Sequence, residues 1–193
     1  MSGGVRNRTL GNARDLRYAA GFTMVELVVV LILIGILSAI GVGRFFSRGG
    51  YDAAAFAEQA RSMVRYAQKL AVAQNRQVFV HGTSDGVALC FESTMPCPAA
   101  SQVPVPSGDN DGSDATRKFC VSGGTYSGGW YCQGLPAGVT MMPVSGSLAP
   151  FFFNGLGQPG VSSGGAFLGL TVTIAGDGMS SQISVAPETG YVN

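Results

Sequence analysis

Seventeen consecutive residues, Leu27 to Gly43, carry no charge and almost no polarity, and one carboxylate, Glu26, stands at their entrance. As a helix the run is about 26 Å long, the short end of what crosses a hydrocarbon core, and Phe22 to Val25 extend it far enough. An isolated carboxylate in hydrocarbon costs about 2 to 4 kcal/mol. Glu26 therefore needs a partner or a purpose, and the segment that holds it constrains the chain more than anything downstream.

The residues before it are basic. Arg6, Arg8, Arg14 and Arg17 stand against Asp15, a net charge of +3 over residues 1–21, which suits a cytoplasmic flank. A secretory signal or plain membrane anchor would share that flank, and Ala39, Gly41 and Gly43 offer small residues to a signal peptidase. A signal peptide's apolar core, however, is about 7 to 15 residues long and has no use for a carboxylate at its start.

The run Gly21-Phe22-Thr23-Met24-Val25-Glu26, followed by the apolar helix, resembles the processing site of type IV prepilins and type II secretion pseudopilins. The resemblance implies cleavage by a prepilin peptidase between Gly21 and Phe22, N-methylation of Phe22, and a role for Glu26 as the fifth mature residue. A new amine at Phe22 would lie one helical turn from Glu26, near the positive end of the helix dipole. Pairing of Glu26 with the amine of a neighbouring subunit would set axial register in a filament, acting as a specificity device because both charges must be desolvated. Methylation keeps the amine's charge.

From Tyr51 to Gln77 the spacing predicts a continuing, amphipathic helix. Phe56, Ala60, Met63, Val64, Ala67, Leu70 and Ala71 recur at three- and four-residue steps, with Glu58, Arg61, Arg65, Lys69 and Arg76 mainly elsewhere. Arg65 and Lys69 read as a solvated face. Gly41, Gly43, Gly49 and Gly50 lower helix propensity between the two halves and predict a bend or melted stretch there. Beyond Asn75 the pattern turns to short strands: 77–81, 87–91, 118–121, 139–142, 150–153, 167–174 and 182–185. Residues 96–113 read as a long surface loop.

The ending resembles the GspH/FimT group of minor pilins and pseudopilins, through Phe153-Asn154-Gly155-Leu156-Gly157, Leu170 to Ile174 with Gly176, and Ile183, Val185, Pro187, Thr189, Gly190 and Val192. Tyr51-Asp52-Ala53, Arg65-Tyr66-Ala67-Gln68 and the paired cysteines are most similar to minor pilins of MSHA pili. The resemblance implies an α+β fold, a long N-terminal helix packed on a C-terminal antiparallel β-sheet domain. It divides the chain into a leader (1–21), a membrane or filament-core half-helix (22–46), an amphipathic half-helix (47–76) and a periplasmic β domain (77–193). Its implied partners are the prepilin peptidase, other major and minor pilins, and an inner-membrane assembly platform with its ATPase; no cofactor or small-molecule substrate is implied.

Cys90, Cys97, Cys120 and Cys132 allow three disulfide pairings in an oxidising compartment. Cys90–Cys97 and Cys120–Cys132 are favoured because each closes a short loop; a bridge around about 15 residues is worth roughly 3 kcal/mol in the chain-entropy picture. A zinc site is the weaker reading, since no CxxC occurs and His81, the sole histidine, would not be required. Asp109-Asn110-Asp111-Gly112 invites calcium, but an EF-hand counted from Ser107 has Ser at its first position and Lys118 at its last. Asp109 and Asp111 are better read as turn residues.

Nucleophilic catalysis finds no base except His81, placed in an apolar strand pattern, and an enzyme is not expected. Without residues 1–21 the chain has eight basic and ten acidic side chains, which argues against a strongly basic nucleic-acid binder. DNA receptors of the FimT type carry a basic Gly/Arg motif near the C-terminus; here only Arg117 and Lys118 lie beyond Arg76. A type II secretion pseudopilin would share every feature of the helix.

Overall fold

A computed structural model of the chain describes residues 22–45 and 49–193, without the side chains of 39–45. The leader expected at 1–21, including Gly21, lies outside the described residues, as does residue stretch 46–48 within the expected bend. The chain divides into two compact units, 1–44 and 45–193.

In the first unit, helix α1 runs from Met24 to Phe45. Thr23 caps it: the Glu26 amide donates to Thr23 Oγ1 at 3.1 Å, and the Leu27 amide to the Thr23 carbonyl at 3.1 Å. Thr at the cap with Glu three residues on is the capping-box pattern, which satisfies amides that the helix itself leaves free. The side chains from Phe22 to Leu37 are exposed on every face of the helix, Val30 least at 43% and Met24 most at 83%. Among the described residues no helix is long and apolar enough to cross a membrane. The span expected over 22–46 is thus not met among the described residues.

The second unit begins with helix α2, Gly49–Gln74. Its described part extends two residues before the expected Tyr51, and a distant residue holds its first turn: the Gly49 amide donates to Asp177 Oδ2 at 2.9 Å. It ends before Gln77 in a Schellman arrangement, with the Arg76 amide on the Ala71 carbonyl and the Asn75 amide on the Val72 carbonyl. Asn75 sits at φ 47°, the left-handed geometry this cap requires. The expected apolar stripe is the buried one, through Ala53, Phe56, Ala60, Met63, Val64, Ala67 and Ala71, with Leu70 half-buried at its edge.

Two antiparallel sheets receive that stripe. The first comprises β1 (Val78–Thr83), β2 (Gly86–Cys90), β5 (Cys132–Gly134), β7 (Phe151–Phe153) and β8 (Pro159–Val161), in the order β5-β2-β1-β7-β8. The second is β10-β9-β6, from β6 (Thr140–Ser145), β9 (Leu170–Gly176) and β10 (Met179–Val185), and a minor ribbon pairs β3 (Val121–Ser122) with β4 (Thr125–Tyr126). β9 alternates buried and half-buried residues along its whole length, placing Leu170, Val172 and Ile174 under α2. Helix α2 thus packs across both sheets, an α+β arrangement as expected. Gly176 permits its approach, since a Cβ there would stand 3.0 Å from the Gly49 carbonyl carbon.

Two local expectations fail. Residues 118–121 were expected as strand, but Asp114–Phe119 is a short helix, α3, and only Val121 is in a strand. Ser113 decides this by accepting the Thr116 amide as N-cap. The stretch 96–113 is not a surface loop throughout, because Cys97, Ser101 and Val103 are buried in it. It is pinned by a 3-10 turn at Ala99–Ser101 and by bridges from Cys90 to Gln102 and from Pro104 to Trp130.

Candidate functional site

Three places carry the residues singled out by sequence. At the head of α1, Phe22 is 82% exposed, and Glu26 is exposed at the third helical position. There a carboxylate faces the positive end of the helix dipole and the free amides of the first turn. Thr23 fixes this placement, a function that the spacing Thr-x-x-Glu would have disclosed at the sequence level. Gly21, the other half of the expected cleavage bond, lies outside the described residues.

The second place is the disulfide region of the β domain. Cys90 is bonded to Cys97 and Cys120 to Cys132, with Cα separations of 6.1 and 5.9 Å. All four, with Trp130, Phe79 and Ala88, form a buried cluster on the side of the first sheet away from the main core residues. Trp130 Nε1 donates to the Leu89 carbonyl at 2.8 Å, which satisfies its one polar atom. His81, 3% exposed, stands beside this cluster; its Nε2 lies 3.1 Å from the Glu92 carbonyl. Burial holds its pKa below the ordinary value, against an opposing influence from the Glu92 carbonyl. Among the described residues its polar contact is that carbonyl and not a hydroxyl.

The third place is the acidic loop. Asp111 Oδ1 accepts the Ser113 amide at 3.1 Å, and Oδ2 accepts Gln133 Nε2 at 2.7 Å. Gln133 Oε1 in turn accepts Gln59 Nε2 at 2.8 Å, tying the loop to α2. Partial burial alone would raise the Asp111 pKa, but hydrogen bonds from Gln133, Thr116 and Ser113 outweigh it and hold the carboxyl below its usual value. Asn110 Oδ1 accepts the Gly112 amide at 3.2 Å and the Tyr126 hydroxyl. The Asp109 carbonyl accepts Ser107 Oγ at 3.1 Å. These bonds make Asp111 and Asn110 the anchors of a turn.

Arg65 departs from the sequence reading. Its Nε and Nη2 donate to the Val192 carbonyl at 3.2 and 3.0 Å, so it holds the last residues against α2 instead of serving only as a solvated charge. Gln68 Nε2 adds bonds to the Gly157 and Thr189 carbonyls at 2.8 and 3.0 Å. Between them Gly190, at φ 66°, comes so close that a Cβ would meet Phe153 at 2.7 Å and Gln68 at 2.9 Å. The motif residues Gly157, Thr189 and Gly190 are thus brought together by the fold, although 32 or 33 residues separate Gly157 from the other two.

Residues 16–42 match the prokaryotic N-terminal methylation motif. No curated protein sequence matches the chain. Among solved structures, the type IV minor pilin FimU of Pseudomonas aeruginosa aligns in two crystal forms, both at 14% identity. One has a TM-score of 0.44 over 74% of this chain and 87% of FimU, the other 0.41 over 72% and 89%.

Proposed function

We propose that the chain is a minor pilin, a structural subunit and not an enzyme, that takes part in building a type IV pilus. The observation that carries this reading is the methylation motif over residues 16–42, with Glu26 set at the third position of a capped helix. Prepilin peptidase cuts between Gly21 and Phe22, and Phe22 is N-methylated. Before assembly, the N-terminal segment that carries the motif anchors the chain at the inner membrane, with the β domain on the periplasmic side; after assembly it joins the filament core. There Glu26 pairs with the Phe22 amine of the adjacent pilin and fixes register. Assembly runs through the platform protein and its ATPase. The helix residues from Tyr51 to Gln68, together with the paired cysteines, favour an MSHA-type filament and a subunit of the MshC kind.

The test is mass spectrometry of the N-terminus of membrane-extracted protein, with and without the peptidase. Methylated Phe22 that depends on the peptidase supports the reading. An intact Met1, or a start near Arg44, removes it. A Glu26→Ala chain is expected to be processed normally and incorporated poorly; normal incorporation would take Glu26 out of the mechanism.

A further inference from the structure

We propose that Cys90, Cys97 and His81 form a binding site for a thiophilic d10 cation, Zn(II) or Cu(I), when the Cys90–Cys97 bond is reduced. In the oxidised form the two sulfurs are bonded to each other, and a ring nitrogen of His81 lies with them inside 4.8 Å; all three residues are buried. They converge from three segments: His81 in β1, Cys90 at the end of β2, and Cys97 in the pinned stretch that follows. His81 and Cys90 are near neighbours in the ladder, where His81 pairs with Ala88 and Phe79 with Cys90.

The donor set suits the cation. Two thiolates and an imidazole are the ligands that Zn(II) and Cu(I) prefer. A carbonyl can only accept a hydrogen bond, so the contact with Glu92 puts the imidazole proton on Nε2 and leaves the lone pair on Nδ1. Orientation of a ligating histidine by a backbone carbonyl on its other nitrogen is the usual arrangement at protein metal sites. A tetrahedral cation at ordinary metal–sulfur lengths needs its two sulfurs about 3.7 Å apart. With the bond broken, rotation of the two cysteine side chains about their χ1 angles would supply that separation.

The step balances without an unnamed partner. A dithiol reductant transfers two electrons and two protons to Cys90–Cys97 and itself becomes a disulfide; the two new thiols release their protons to solvent as the cation binds. Disulfide and metal are therefore alternative occupants of one pocket. Cys120 and Cys132 are absent from this ligand group and serve as an internal control.

The test uses the full chain in detergent, produced under reducing conditions and kept with a phosphine reductant, and titrates it with Co(II) as spectroscopic probe and then with Zn(II). The expected result is one equivalent bound, with thiolate-to-cobalt charge-transfer absorption. That absorption is lost in Cys90→Ser/Cys97→Ser and kept in Cys120→Ser/Cys132→Ser. His81→Gln weakens binding by about tenfold or more, and oxidation to the disulfide expels the metal. Circular dichroism establishes that each reduced chain is folded. No binding by a folded reduced chain, binding that survives Cys90→Ser/Cys97→Ser, or equal loss in both double variants would overturn the proposal.

Discussion

Helices α1 and α2 are of similar length, 22 and 26 residues, but their structural support differs. α2 concentrates its apolar side chains on one stripe, buries them on two sheets, and takes a cap from Asp177 on a remote hairpin. α1 is apolar all round and leaves its described large side chains exposed; what stabilises its start is local, the Thr23 cap. A helix apolar on every face draws its stability from an apolar environment or from neighbours of its own kind. The contrast therefore separates a helix that the β domain buries from one whose described apolar side chains are left uncovered.

The largest effect should fall on α2. Phe56→Ala removes a side chain 2% exposed and is expected to cost about 3–5 kcal/mol, read by denaturant unfolding of the full chain in detergent through Trp130, the sole tryptophan. Leu33→Ala on α1 should leave that transition unmoved; a comparable loss from Leu33 would erase the distinction. Next, Cys120→Ser/Cys132→Ser opens a loop of sequence separation 12 and should cost about 3 kcal/mol in the same measurement. Arg65→Ala should cost about 1 kcal/mol, through two bonds to the Val192 carbonyl. Hydrogen exchange should then show the amides of residues 189–193 opening before those of β9.

The smallest effect is a pH slope. The His81 pKa is depressed in the fold, so acid favours the unfolded chain, where the ring can take up a proton. Its contribution is fully present above the unfolded value of about 6.5, and is lost as pH falls from there through the folded value. Asp111 is also depressed, but its window lies lower, below the unfolded carboxylate value of about 4. The melting temperature should therefore decline as pH drops from 7 to 5, and His81→Gln should flatten the decline. An unchanged slope would mean that His81 does not titrate with unfolding.

The sequence was most readable where periodicity was long. The buried stripe of α2 repeats over several turns and was recovered, and β9 was recovered as a strand whose ends are displaced from the expected 167–174 to Leu170–Gly176. Short elements escaped for definite reasons. β5 has three residues and gains its place by pairing with β2. β8 begins with Pro159 and Gly160, which argue against a strand on local grounds, yet it pairs along β7 at the edge of the sheet. α3 was concealed by the apolar ending of 118–121 and would have been found by weighting the cap Ser113. At the head of α1 the chemistry was legible because it lies in consecutive residues. The grouping of His81 with Cys90 and Cys97 was not, because a hairpin and a folded-back loop create it. The roles of Arg65 and Gln68 likewise depend on carbonyls 89 to 127 residues away.

Asp177 ties the first turn of α2 to the β9–β10 hairpin, and in a filament of the kind proposed above, a subunit held by its N-terminal end would feel load first at that tie. Tension applied along the chain at Gly49 would meet the Asp177 carboxylate in the first turn of α2. From there it is handed to the β9–β10 hairpin, whose seven paired residues must share it. The turn at Asp177 and Gly178 would then be the first contact to yield, and Asp177→Ala should lower the force at which a tethered chain begins to unravel, read by single-molecule pulling.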